Sequence, residues 1–268
     1  MGNFELNKCY NESNLVTMAK MPDNFIDLTV TSPPYDNLRD YKGYSFPFEE
    51  IAKELYRVTK NGGVLVWVVG DACVNGSETG SSFKQALFFM ECGFKLYDTM
   101  IYNKDAFPFP ESNRYYQQFE YMFVLSKGSP NISNLIADKA NSKFGSKMYK
   151  NRIADGSFIE MHGAKNGKTI GEFGVRGNIW NIGIGKNKST KDECAFEHPA
   201  IFPEKLAYDH IKTWTNEGDL VYDCFMGSGT TAKAAISANR KWIGSEISEE
   251  YCKIIEKRLQ PLLHNLFT

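Results

Sequence analysis

Asp223-Cys224-Phe225-Met226-Gly227-Ser228-Gly229-Thr230-Thr231 decides the fold, because it stands where such a loop is least expected. Apolar Leu220-Val221-Tyr222 precedes it and a helix-forming stretch follows, so it reads as a strand-to-helix turn of the nucleotide-binding kind. A loop of this type normally opens a sheet whose remaining strands lie downstream. Here 39 residues follow Gly229, room for about one more strand and one or two helices. The rest of the sheet must therefore come from upstream, which makes the chain α/β, Rossmann-like and doubly wound, in circularly permuted order.

Upstream segments supply such strands. Residues 27–31 are short, β-branched and stopped by Pro33-Pro34, and residues 64–69 form an apolar run of the kind buried on both faces of a parallel sheet. Between them Phe48, Ile51, Leu55 and Val58 recur at helical spacing, and Asn61-Gly62-Gly63 is expected to stop that helix. Ser82 is expected to cap a helix running to Met90, with strands at 94–102 and 119–126. Regular structure resumes with a helix after Pro203, a strand at 220–223, a helix at 230–238, a strand at 242–246 and a last helix at 249–259.

The stretch 127–197 differs in character. It holds ten of the 22 glycines and no sustained hydrophobic period, and from Lys127 to Lys191 twelve basic residues face four acidic ones. The remainder carries 19 basic and 28 acidic groups, so a net charge of −1 hides a basic insertion on an acidic body. That segregation points to a polyanion bound at one place. The predicted organisation is 1–126, the insertion 127–197, and 198–268.

Two loops carry the chemistry. Gly227 and Gly229 let the backbone approach a ligand closely, and amides at the following helix start favour a carboxylate or phosphate. Asp223 is placed to accept from a ligand ammonium, and Glu246, ending the next strand, to hold two ribose hydroxyls. Gly227-x-Gly229-x-x-Ala232 also fits a dinucleotide fingerprint, which keeps an NAD-linked oxidoreductase in play on local pattern, beside a plain tight turn. In Thr31-Ser32-Pro33-Pro34-Tyr35 two prolines remove two donors and present carbonyl acceptors rigidly, with the Ser32 hydroxyl beside them and the Tyr35 ring at the rim. Such a loop suits an amino group on an aromatic ring, though alone it is equally a Pro-Pro turn closing a strand.

Composition narrows the classes. No run spans a bilayer, the start lacks the basic and apolar parts of a secretory signal, and Met1-Gly2 is followed by Leu6 where myristoylation wants Ser or Thr. A soluble cytoplasmic protein with no membrane role is expected. The six cysteines form no Cys-x-x-Cys pair and the four histidines are scattered, so reduced, mostly buried thiols are expected, with no metal site.

In order and over nearly the whole chain, these motifs resemble those of S-adenosylmethionine-dependent DNA amino-methyltransferases of the permuted β class. Ser32 to Tyr35 resembles the family's catalytic loop, and Asp223 to Thr231 its methionine-binding loop. Trp242-Ile243-Gly244-Ser245-Glu246 resembles its ribose strand, and His198-Pro199-Ala200-Ile201-Phe202-Pro203 the segment that closes over the cofactor. The resemblance implies that Ser32 and the Pro33 carbonyl hold the target amine, Pro34 fixes the loop and Tyr35 stacks on a flipped base. S-adenosylmethionine then lies against Asp223, Phe225, Gly227, Ser228, Gly229, Thr230, Glu246, Ala200 and Phe202. The insertion takes the place of the target-recognition region, with Lys143, Lys147, Lys150, Arg152, Lys165 and Lys168 facing phosphates of double-stranded DNA; a cognate restriction endonuclease is a possible further partner. Trp180 is expected to pack. Cys224 departs from the usual proline. Serine before Pro-Pro leans to cytosine N4, with adenine N6 the alternative; RNA and glutamine methylation resemble the unpermuted order, and C5 methylation lacks a Pro-Cys nucleophile.

Overall fold

Alternation along one strand builds the core. In β3 (Thr59–Val69), Val64, Val66 and Val68 point into one apolar cluster, and Leu65, Trp67 and Val69 into another on the opposite face. The first cluster packs α4 (Glu204–Trp214), α5 (Thr230–Ser237) and α6 (Glu249–His264); the second packs α1 (Asn14–Ala19), α2 (Phe48–Val58) and α3 (Ser81–Glu91). A sheet buried on both faces between helices is the doubly wound arrangement that the apolar run predicts. The computed structural model describes residues 4–34, 46–105, 114–147, 150–160 and 169–264.

Among the described residues, eight strands form the sheet. With β1 (Lys8–Tyr10), β2 (Ile26–Thr31), β4 (Lys95–Lys104), β5 (Phe119–Ser126), β6 (Ile179–Ile182), β7 (Leu220–Asp223) and β8 (Lys241–Ser245), the order is β1-β8-β7-β2-β3-β5-β4-β6. All neighbours pair in parallel except those of β5, which runs against both β3 and β4. The late strand β7 lies directly beside the early strand β2, with Val221 opposite Leu28 and Tyr222 opposite Thr29. The permuted order inferred from the glycine loop is thus the order of the sheet.

Several boundaries differ from expectation. The helix α2 ends at Val58 without waiting for the glycines: Thr59 turns extended, and its Oγ1 donates to the Leu55 carbonyl at 2.6 Å. Gly62, at φ 80°, lies inside β3. Ser82 does not cap α3. The carboxylate of Asp71, at the end of β3, accepts from the Ser82 backbone N–H at 2.9 Å and from the Ser82 hydroxyl at 2.5 Å. The edge strands β1 and β6 carry too few residues for a periodic signal. Of the six free thiols only Cys224 is buried, and Cys73 is exposed, against the expectation of mostly buried cysteines.

Two compact units emerge, 1–134 with 178–268, and 135–177. Compactness draws the second unit tighter than the composition change at 127–197, because residues 178–197 rejoin the sheet through β6. There Trp180 is buried, its ring 4.5 Å from that of His210. The smaller unit contains two short antiparallel ribbons, Lys139–Ala140 with Phe173–Gly174 and Lys150–Arg152 with Phe158–Glu160. Arg176 pairs with Asp138 within it.

Candidate active site

The topology selects the site. From β2 the chain leaves to α2 on one face, and from β7 it leaves to α5 on the other, so a crevice opens between their carboxyl ends. Ser32-Pro33-Pro34 leaves β2 at that crevice, and the glycine loop leaves β7 beside it. Both border one cavity of about 1680 Å³, lined by Ser32, Pro33 and Pro34 and by Phe225, Gly227, Ser228, Thr230 and Glu246. Ala200 and Phe202 line it as well.

Backbone conformation explains the glycines. Gly227 has φ 54°, and a Cβ there would meet the His198 ring at 3.2 Å; Gly229, at φ 82°, is the residue before α5, and a Cβ there would meet Ile255 at 3.3 Å. His198 is itself fixed: its Nδ1 lies 2.6 Å from the Ala200 carbonyl oxygen and 3.1 Å from the Ala200 nitrogen, and its ring lies 4.2 Å from that of Tyr251. The segment after His198 is thereby held over the loop. Glu246 is 8% exposed, and its two oxygens accept from the backbone N–H groups of Gly227 and Ser248, each at 2.8 Å. Burial raises its pKa above the usual glutamate range, against the pull of those two bonds. Each oxygen retains a lone pair for a further donor.

Asp223 is a correction. Its side chain is fully buried, outside the cavity lining: Oδ1 accepts from Thr31 Oγ1 at 2.6 Å and from the Phe225 N–H at 3.0 Å, and Oδ2 from Thr231 Oγ1 at 2.6 Å. It ties β2, the glycine loop and α5 together and does not face a ligand ammonium. Gly229 likewise faces α6 and lies outside the lining. Cys224, the departure from the usual proline, lies with its Sγ 3.7 Å from Thr31 Oγ1. Burial, then the nearby Asp223, pushes its thiol well above the ordinary range and keeps it neutral.

Other site residues carried no readable signal. Asn14 Nδ2 donates to the Cys224 carbonyl at 3.1 Å, so the start of α1 braces the glycine loop from 210 positions away. Asp71, Tyr102 and Lys104 line the cavity from the ends of β3 and β4. Asn11-Glu12-Ser13-Asn14 is an ordinary polar run, and only the pairing of β1 with β8 gives it meaning. Of the basic candidates, Lys143 and Lys147 are exposed on the smaller unit. Tyr35, Lys165 and Lys168 lie outside the described residues, as do the side chains of Lys150 and Arg152, whose backbone forms a ribbon strand.

Comparison with known proteins places this geometry. The sequence pattern of a family described as DNA methylase matches residues 26–257. The orphan methyltransferase M.BamHII of Bacillus amyloliquefaciens is 61% identical over 241 residues, 89% of this chain and 90% of that protein. Among solved structures, PvuII DNA methyltransferase (cytosine-N4-specific) superposes with a TM-score of 0.66 at 20% identity, covering 96% of this chain and 91% of that one. The M1.HpyAVI complex with SAM gives 0.60 at 19% identity, covering 94% and 98%. At such identities these two likenesses concern the fold.

Proposed function

The chain belongs to the family of S-adenosylmethionine-dependent DNA methylases acting on amino groups of cytosine or adenine, and from that premise we propose that it methylates N4 of a cytosine flipped out of double-stranded DNA. The observation that carries this reading is the single cavity bordered by Ser32-Pro33-Pro34 on one side and by the glycine loop with Glu246 on the other.

The residues present fit the cofactor. A Cβ at Gly227 would crowd the His198 ring, and Glu246 offers a carboxylate with spare lone pairs where a ribose needs acceptors. Phe225, Ala200 and Phe202 supply apolar wall, and the Ser228 and Thr230 hydroxyls face the amino-acid end. When bound, S-adenosylmethionine supplies an activated methyl group on sulfur. What this chain contributes is placement and acceptors. The Pro33 carbonyl oxygen and Ser32 Oγ hold the two N–H protons of the target amine, drawing its lone pair out of conjugation and toward the methyl donor. Pro34 fixes the loop and Tyr35 stacks on the ring. Asp223 holds the two half-sites in register through Thr31 and Thr231.

Cytosine N4 is favoured over adenine N6 because a serine, not an aspartate, precedes the prolines. Lys143 and Lys147, with Lys150, Arg152, Lys165 and Lys168, are proposed to meet phosphates. The test incubates the purified protein with methyl-labelled S-adenosylmethionine and mixed-sequence duplex DNA and analyses the nucleosides. Label in N4-methylcytosine is expected. Label in N6-methyladenine would overturn the choice of base, and label at C5 or in no DNA base the reading itself.

A further inference from the structure

The glycine loop is backed by a charge the mechanism above does not use. Arg258, on α6, has a side chain with no exposure and does not line the cavity. Its Nη1, with two hydrogens, lies within hydrogen-bonding distance of three acceptors, the Ser228 carbonyl at 2.9 Å, Ser228 Oγ at 3.1 Å and Thr230 Oγ1 at 3.1 Å, so that one hydrogen is shared between two of them. The rest of the guanidinium is held from behind: Nε donates to Asp192 at 2.8 Å, and Nη2 to Glu204 at 2.7 Å and to Thr190 Oγ1 at 3.3 Å. Lys233 shares both carboxylates, at 2.6 Å from Asp192 and 2.8 Å from Glu204. Two cations and two anions therefore balance on the far side, while the Nη1 corner meets only neutral oxygens.

That arrangement constrains the direction of two protons. A hydroxyl has one proton to give, and an oxygen that accepts from a guanidinium must aim its proton elsewhere. Ser228 and Thr230 both line the cavity, so their O–H groups are free to donate into it. Two hydroxyl donors, each polarised by a guanidinium N–H, suit a ligand rich in acceptors, and a carboxylate offers the oxygens they need. We infer that Arg258 is a positioning residue that sets Ser228 and Thr230 as hydroxyl donors for the carboxylate at the amino-acid end of the cofactor. This rests on the cofactor placement proposed above and goes beyond it in assigning a residue that never touches the ligand.

Two probes separate this role from mere support of the loop. S-adenosylhomocysteine carries the amino-acid carboxylate, and 5′-methylthioadenosine has the nucleoside and sulfur without it. Calorimetric titration of the wild-type protein should show tighter binding of the first. In Arg258→Met the affinity for S-adenosylhomocysteine should fall about tenfold or more, with that for 5′-methylthioadenosine unchanged. Arg258→Lys, which keeps the charge and a donor, should recover part of the loss. A Ser228→Ala/Thr230→Val double variant should reproduce the loss with Arg258 intact, and reads the same quantity if Arg258→Met does not fold. Equal weakening of both probes, or unchanged discrimination between them, would overturn the assignment. Wild-type protein binding neither probe would instead overturn the cofactor placement beneath it.

Discussion

Asp223 shows how one side chain serves a site without entering it. Three donors converge on a carboxylate from which water is excluded, and burial still raises its pKa above the ordinary aspartate value. Asp223→Ala should cost roughly 2–4 kcal/mol, since it orphans buried donors on β2, the loop and α5; chemical denaturation reads the loss directly. Glu246 adds a pH dependence. Its pKa in the folded protein lies above the unfolded value, so the apo protein binds this proton more tightly than the unfolded chain does. Its stabilising effect is full below the unfolded pKa and is lost as pH rises through the raised one. On the proposed ribose contact cofactor binding runs the other way, because the ionised carboxylate is the stronger acceptor for two hydroxyls. The rise in melting temperature on adding S-adenosylhomocysteine should therefore grow over that same window, above the range of an ordinary glutamate, and Glu246→Gln should flatten it.

Among elements, the glycine loop was the most legible part of the chain and the edge strands the least. Gly227 and Gly229 both take positive φ, and one sequence pattern gave their turn, the helix after it and the acidic end of β8. Gly227→Ala combines a left-handed backbone cost of about 1–2 kcal/mol with crowding of His198 at 3.2 Å. It should weaken cofactor binding more than it lowers the melting temperature, as calorimetry beside thermal unfolding would reveal. Asp223 was legible as a motif position but not in its role, because strand-end aspartates look alike until their partners on another strand are known. Asp71 replaced Ser82 as the cap of α3 for the same reason: a donor or acceptor from 11 residues away leaves no local pattern. Arg258 was hidden in an ordinary amphipathic helix, since burial of one arginine among many charged residues has no periodic signature. β1 and β6, three and four residues long, were too short to read. In the smaller unit, exposed Lys143 and Lys147 are expected to set salt sensitivity: Lys143→Ala/Lys147→Ala should reduce the slope of log affinity for duplex DNA against log salt by about 1–2.

For the molecule as a whole, the parallel pairing of β2 with β7 is what makes the two loops neighbours. Residues 192 positions apart, Thr31 and Asp223, share a hydrogen bond of 2.6 Å because β2 and β7 pair at the switch point of the sheet. The order of motifs was readable because the apolar, β-branched runs at 27–31 and 64–69 precede the glycine loop, and both are strands of its sheet. The bracing of that loop by the start of α1 was not, since it depends on the three-dimensional return of the first strand to the edge beside β8. The central claim is that one crevice receives the cofactor and an extruded base together. A crystal structure of the protein with S-adenosylhomocysteine and duplex DNA containing the methylated site tests it most directly. The account predicts ribose hydroxyls on Glu246 and an unstacked cytosine with its N4 within hydrogen-bonding distance of Ser32 Oγ and the Pro33 carbonyl. A target base still stacked in the duplex, or a cofactor seated away from the glycine loop, would contradict it.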